Sequence, residues 1–191
     1  MSTSLKSSKL CWQIILIGVT HIGMVLSMIK ALLESPDGLP IKYLMSGNKK
    51  ITDSLLKKWS VRPDLVLTNF YGSMEAMVGC TLRQIGLNDH KENIRRAFSS
   101  CSTYVVDCDL NIVLLGCSGE LVISGPLVAC GYHNLSDVTL KMFIDYPTPG
   151  CKTYFTDDLV HMMPDHSIKI IGHIDSQVKY HGVRIEMEGI L

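Results

Sequence analysis

The 191-residue chain carries 18 Lys and Arg side chains against 18 Asp and Glu side chains, so its formal net charge is zero. Balanced charge creates no field that would favour nucleic acid or an acidic membrane, and we expect neither as a partner. Seven cysteines without a Cys-x-x-Cys pair favour reduced thiols in a cytoplasmic protein over a disulfide framework.

The first half of the sequence alternates helical and extended patterns. The predicted elements are a buried, β-rich segment at 14–25, a helix capped by Ser27, a strand at 41–45, a helix from Thr52 to Trp59 and a strand at 65–68. The apolar run from Leu10 mimics a signal peptide, but Gln13 interrupts it and polar residues follow, so we favour a buried helix and strand over an anchor. Strands alternating with helices predict a parallel sheet covered by helices.

The pattern changes after about residue 100. Short apolar segments at 103–107, 112–115, 120–123 and 168–171 are separated by turn residues, and one helix is expected at 137–143. This spacing predicts an antiparallel, barrel-like region. Residues 177–180 and 183–185 then read as a hairpin around a turn at His181 and Gly182.

Four polar and glycine-containing motifs occur in order along the chain. They are Asn69-Phe-Tyr-Gly-Ser-Met-Glu75, Gly119-Glu-Leu-Val-Ile-Ser-Gly125, Tyr154-Phe-Thr-Asp-Asp158 and Gly172-His-Ile-Asp-Ser-Gln-Val-Lys-Tyr-His-Gly-Val-Arg-Ile-Glu186. Glycines and carboxylates gather this densely where backbone and side chains meet a polar ligand. Together the motifs resemble the adenylate-forming (AMP-binding) superfamily, which comprises acyl- and aryl-CoA ligases, luciferases and the adenylation domains of nonribosomal peptide synthetases.

The Gln-Val-Lys form of the last motif resembles the peptide synthetases. The segment Val19-Thr-His-Ile-Gly-Met-Val-Leu-Ser27 is similar to a segment found in fungal peptide and siderophore synthetases. The resemblance implies an α/β fold, with part of the large lobe of the family at 10–175. Within this lobe it implies an α/β part at about 10–95 and a distorted β-barrel at about 100–175. Residues 176–191 are expected to begin a truncated C-terminal lobe.

The resemblance also implies a nucleotide site. The residues that match its motif positions are Asn69, Phe70, Tyr71, Gly72, Met74, Asp158 and His173. The aromatic ring of Tyr71 is expected to pack on adenine, with Asn69 and the Gly72 backbone at the edge of the base. Asp158 offers two acceptor oxygens to the two ribose hydroxyls, a good bidentate match.

Three further roles follow from the same resemblance. Glu75 matches the carboxylate that holds Mg²⁺, a cation that prefers oxygen ligands. Asp175 matches the hinge about which the small lobe rotates. Phe70, Val78 and Gly79 fall at positions that line the pocket for the carboxylic acid.

The implied reaction joins a carboxylic or amino acid to ATP, giving an acyl-adenylate that passes to a carrier-protein phosphopantetheine thiol or to CoA. Several motif positions depart from the family. Met74 replaces a threonine, Cys130 an arginine, Asp157 a glycine and His173 an arginine. We find no Gly-rich phosphate loop, and the family's catalytic lysine would lie beyond Leu191. We therefore expect no intact catalytic residue and an inactive isolated chain. A CoA-ligase remnant, a non-catalytic nucleotide-binding protein and a merely folded pseudoenzyme remain alternatives.

Overall fold

The structure is a computed structural model that describes residues 2–32, 38–47, 51–59, 62–76, 79–86, 93–94, 97, 99–174, 178–180 and 183–185. Contacts divide the chain into two units. The first comprises Met1–Phe70, Arg83–Lys91 and Lys179–Arg184, and the second comprises Tyr71–Leu82, Glu92–Val178 and Ile185–Leu191. Among the described residues, no helix combines the length and the apolar character that crossing a membrane would need.

The first unit is built on a sheet with the strand order β1-β2-β3-β4. Its helices are α1 (Ser2–Ile17), α2 (Leu26–Leu32) and α3 (Asp53–Trp59), and its strands are β1 (His21–Val25), β2 (Tyr43–Gly47), β3 (Val66–Tyr71) and β4 (Thr81–Gln84). Tyr71, Thr81 and Leu82 are counted with the second unit. The first three strands are parallel and in register, so that Leu44 lies between Ile22 and Leu67. The predicted parallel α/β arrangement is confirmed.

The core of the first unit lies where the helices pack on this sheet. The predicted helix after Thr52 is confirmed as α3, and its apolar side chains Leu55, Leu56 and Trp59 are buried together. Their spacing places them on one helical face, where burial supplies most of the stability of a helix this short. Ile29 and Leu44 complete the same cluster and are fully buried.

Two predictions for this unit were wrong. Residues 14–17 belong to α1 and not to a strand, and Ile15, Leu16 and Ile17 are 52–74% exposed. The β-branched side chains of Ile15 and Ile17 favour strands only weakly, and the helical context overrides this preference. Ser27 is not a cap, because α2 already begins at Leu26.

The second unit contains an antiparallel sheet with the order β5-β6-β8-β7, and β9 also pairs with β8. Its elements are the 3₁₀ helix Met74–Ala76, β5 (Ser102–Val106), β6 (Ser118–Ser124), α4 (Ser136–Met142), β7 (Phe143–Asp145), β8 (Lys152–Met162) and β9 (Ile168–His173). The predicted antiparallel pairing is confirmed. The predicted strand at 112–115 is wrong, since only Ile112 bridges to Val106 and the exposed Leu114 and Leu115 lie in a turn.

The predicted C-terminal hairpin is confirmed. Strands β10 (Val178–Tyr180) and β11 (Val183–Ile185) form a two-stranded sheet. The expected turn at 181–182 lies outside the described residues.

Candidate functional site

Asp158 lies on the central strand of the second unit. Its strand β8 pairs with β6 on one side and with β9 on the other, where His173 is the residue opposite Asp158. The residue is only 6% exposed. Its backbone N–H donates to Thr156 Oγ1 at 3.1 Å, and that hydroxyl donates to the carbonyl of Leu121 at 2.7 Å. The sheet therefore fixes the backbone that carries this buried carboxylate.

Two side chains from distant parts of the sequence flank the carboxylate of Asp158. The Tyr71 hydroxyl donates to Oδ2, although the two residues are 87 positions apart in sequence. Nδ1 of His173 lies 2.6 Å from Oδ1, within ion-pair range but not aligned for a hydrogen bond. Burial, and then the negative charge of Asp158, raise the pKa of Tyr71 well above its usual range, so the phenol remains a donor.

The neighbours of Tyr71 hold its backbone and its ring. Its carbonyl accepts the N–H of Cys80 at 2.8 Å and the Cys80 thiol at 3.3 Å. The half-buried ring packs against clusters that include Ile94 and Ile123. Burial raises the pKa of Cys80 to about 12, which keeps its thiol neutral and makes it a packing residue rather than a nucleophile.

Asp157 adopts a backbone conformation that favours glycine, with φ at +55°. Its N–H donates to Glu120 Oε1 at 3.0 Å, and its carbonyl accepts the N–H of Ile174 at 2.8 Å. The superfamily that the motifs resemble has glycine at this position, and aspartate is among the few other residues that tolerate the left-handed backbone region. Burial raises the pKa of Glu120, and the nearby charges of Asp157 and Asp158 raise it further.

Glu75 lies in the 3₁₀ helix Met74–Ala76, and its carboxylate accepts a hydrogen bond from the Tyr132 hydroxyl at 2.8 Å. No group of three or more His, Cys, Asp or Glu side chains suited to a metal occurs in the described part of the chain. Mg²⁺ is commonly held by one or two carboxylates together with substrate phosphates and water, so a single glutamate fits that cation. Sequence reasoning missed Tyr132, although it lies two residues after Cys130, one of the positions that depart from the family pattern.

Asn69 and Phe70 lie in the first unit, on β3, which extends beyond the strand predicted at 65–68. Asn69 is 9% exposed, and its Oδ1 has no hydrogen-bond partner among the described residues. The same is true of Oγ of Ser46, its register neighbour on β2. Buried polar atoms are nearly always paired, so unpaired ones at the carboxyl edge of a parallel sheet suit a polar ligand.

The ring of Phe70 lies over the backbone of Gly47. A Cβ on Gly47 would lie 2.3 Å from Cζ of that ring, so only glycine leaves room for it. Part of the Phe70 ring therefore contacts β2, at a position predicted to line the pocket for the carboxylic acid.

The remaining predicted residues are distributed as follows. Gly72 and Gly79 are half-buried in the second unit, whereas Met74 is 85% exposed. Its thioether stands where the family has a hydroxyl and cannot donate a hydrogen bond. Val78 and Asp175 lie outside the described residues.

Comparison with known protein families identifies the family of this chain. A family model described as AMP-binding enzyme matches residues 2–133, well over half of the chain. The chain belongs to the AMP-binding enzyme family.

Curated relatives of this family member include synthetases from fungi. It is 48% identical to coprinoferrin synthetase of Coprinopsis cinerea over 92% of the chain, and 43% identical to the nonribosomal peptide synthetase NPS2 of Ceriporiopsis subvermispora over 90%. The chain spans about 7% of the length of either relative. The predicted resemblance to an adenylation segment of a fungal-type peptide synthetase is confirmed, and a CoA-ligase ancestry is not favoured.

The fold is shared with solved adenylation domains. An NRPS protein containing adenylation and PCP domains, bound to a vinylsulfonamide inhibitor, superposes with a TM-score of 0.87 at 22% identity. The match covers 97% of this chain and 34% of that protein. The predicted α/β fold with an antiparallel second part is thus confirmed.

Proposed function

We propose that this AMP-binding family member recognises the AMP part of ATP in an adenylation reaction, with Tyr71 against adenine and Asp158 on the ribose. The contact between Tyr71 and Asp158 carries the proposal. An adenine-stacking ring and a ribose acceptor must be neighbours, because the base and the sugar are joined directly. The fold brings together these two side chains, which are 87 positions apart in sequence.

The carboxylate retains capacity for a ligand. An ionised carboxylate offers about four lone-pair sites, and the Tyr71 hydroxyl bonds to one of them on Oδ2, while His173 lies beside Oδ1 without a hydrogen bond. The sites that the Tyr71 hydrogen bond does not use are suited to the two vicinal ribose hydroxyls. His173 can also turn toward the sugar, although it lacks the planar fork of donors that an arginine would supply.

The proposal extends to the other residues of the family motifs. Asn69 would bond the edge of adenine, with the backbone of Gly72 beside the base and Met74 near the α-phosphate. Glu75 would hold Mg²⁺, which supplies charge neutralisation at the phosphates when bound. Phe70, Val78 and Gly79 would line the acid pocket, and Asp175 would act as the hinge before residues 176–191.

The chemistry of the relatives suggests the substrate and the acceptor. We propose a small carboxylic or amino acid as the group to be activated, and a phosphopantetheine thiol on a carrier protein as its acceptor. A carrier domain is supported by the PCP domain present in the solved structural neighbour. CoA is the alternative thiol.

A ligand-side comparison tests the ribose contact. Calorimetry with AMP and with 2′,3′-dideoxy-AMP should show that wild type binds AMP about tenfold or more tightly, because only AMP bonds Asp158. In Asp158→Ala the two ligands should bind equally. Asp109→Ala, which removes an exposed aspartate of the same unit, should retain the preference. Equal binding of both ligands by wild type would refute the ribose assignment.

A further inference from the structure

The segment that contains Tyr132 makes two hydrogen bonds to Glu75, one to its side chain and one to its backbone. Its hydroxyl donates to Oε1 of Glu75 at 2.8 Å, and the N–H of Ala129 in the same segment donates to the backbone carbonyl of Glu75, also at 2.8 Å. Segment 129–132 therefore holds both the backbone and the carboxylate of this residue.

Segment 129–132 is itself held against α4. The N–H of Tyr132 donates to Thr139 Oγ1 at 2.9 Å. Gly131 has φ at +143°, and a Cβ there would lie 2.3 Å from Thr139 Cγ2, so only glycine permits this close approach. The Tyr132 ring also packs edge-on against Phe143, with centroids 5.4 Å apart. A hydroxyl fixed this firmly defines where its acceptor must lie.

The phenolic hydroxyl of Tyr132 donates to the carboxylate of Glu75, which can only accept when ionised. The directed hydrogen bond from Tyr132 to Oε1 fixes the orientation of the Glu75 carboxylate. Carboxylates that bind metals are commonly held by such a neighbouring hydrogen bond.

We propose that Tyr132 is a positioning residue whose hydroxyl orients the Glu75 carboxylate toward the divalent cation of a bound metal–nucleotide. The inference rests on the proposed function, because Glu75 has a metal to bind only if the nucleotide binds beside it. Tyr132 itself touches neither the nucleotide nor the metal in this assignment.

Calorimetry separates the metal from the nucleotide. ATP is titrated into wild type and Tyr132→Phe, first in EDTA and then with Mn²⁺. Both proteins should bind ATP equally without metal, whereas the tightening by Mn²⁺ should fall by about ten- to a hundredfold in Tyr132→Phe. A merely structural role would weaken both titrations alike. Tyr146→Phe is the matched control, because its hydroxyl bonds the carbonyl of Leu110 instead and its loss should leave the tightening unchanged.

A second variant keeps the test decisive. Glu75→Gln retains an acceptor for Tyr132 but loses the charge, so it should abolish the tightening, and adding Tyr132→Phe to it should change nothing more. Full Mn²⁺ tightening in a folded Tyr132→Phe, or no tightening in a wild type that binds ATP in EDTA, overturns the inference and leaves the proposed function standing. A wild type that binds neither AMP nor ATP refutes the proposed function and this inference with it.

Discussion

Removing the Tyr71 hydroxyl should destabilise the second unit through its bond to Asp158. Hydrogen bonds to charged groups contribute about 1.5–3 kcal/mol, and half-burial of the ring places this one near the lower end, at about 1.5–2 kcal/mol. For a chain of this size, that loss corresponds to roughly 3–8 °C in melting temperature.

A double-mutant cycle isolates the bond. Urea unfolding of wild type, Tyr71→Phe, Asp158→Ala and the double variant is followed by circular dichroism, with amide hydrogen exchange on β8 to localise the effect. In the Asp158→Ala background, Tyr71→Phe should cost under about 0.5 kcal/mol, because the hydroxyl has already lost its acceptor. The coupling energy should therefore be about 1–2 kcal/mol.

Tyr104→Phe is the control for the loss of a tyrosine hydroxyl. Tyr104 is half-buried in the same unit and packs edge-on against Tyr146, so its change should cost less than that of Tyr71. If Tyr71→Phe costs the same in both backgrounds to within about 0.5 kcal/mol, the bond does not contribute and the reasoning is refuted.

Three further predictions concern other positions. Because the pKa of Glu120 is raised in the folded state, its stabilising contribution is complete below the unfolded glutamate pKa and is lost as pH rises through the folded value. Glu120→Gln should therefore have a higher free energy of unfolding in urea than wild type at pH 7.5, by up to about 1 kcal/mol, and the same value near pH 4. An equal gain in this free energy at both pH values would contradict the prediction. Gly131→Ala should cost about 2–3 kcal/mol through its positive φ and its clash with Thr139, whereas Gly172→Ala, with open space around its Cβ, should change stability by under about 0.5 kcal/mol; similar urea midpoints for both would count against the packing described. The purified chain should show no carboxylate-dependent ATP–pyrophosphate exchange, since the sequence has no Gly-rich phosphate loop and Met74 replaces a hydroxyl donor, each loss costing about a hundred- to a thousandfold; exchange abolished by Glu75→Ala would show the prediction to be wrong.

Local patterns predicted the elements whose stability is local. Helix α3 follows from the spacing of Leu55, Leu56 and Trp59, and β5 and β6 follow from short apolar segments between turns. In each case the residues that form the element also identify the buried face. The end of helix α1 was predicted wrongly, because the β-branched residues Ile14, Ile15 and Ile17 are typical of strands but are helical here.

The long strand β8 shows why the site could be predicted only in part. Its middle contains Thr156, Asp157 and Asp158, which as a sequence suggests a polar turn. Pairing with β6 and β9 overrides that preference and buries Asp158, and no local pattern carries this information. The bond between Tyr132 and Glu75 is likewise invisible in the sequence, because it joins residues 57 positions apart.

Saturable binding of AMP to the purified chain tests the central claim most directly. Calorimetry with AMP up to millimolar concentration should give a saturable isotherm for wild type. Asp158→Ala should weaken it by about 1.5–3 kcal/mol, roughly ten- to a hundredfold, with circular dichroism confirming that the variant is folded. No saturable heat from folded wild type, or undiminished AMP affinity in Asp158→Ala, would contradict nucleotide recognition at Tyr71 and Asp158.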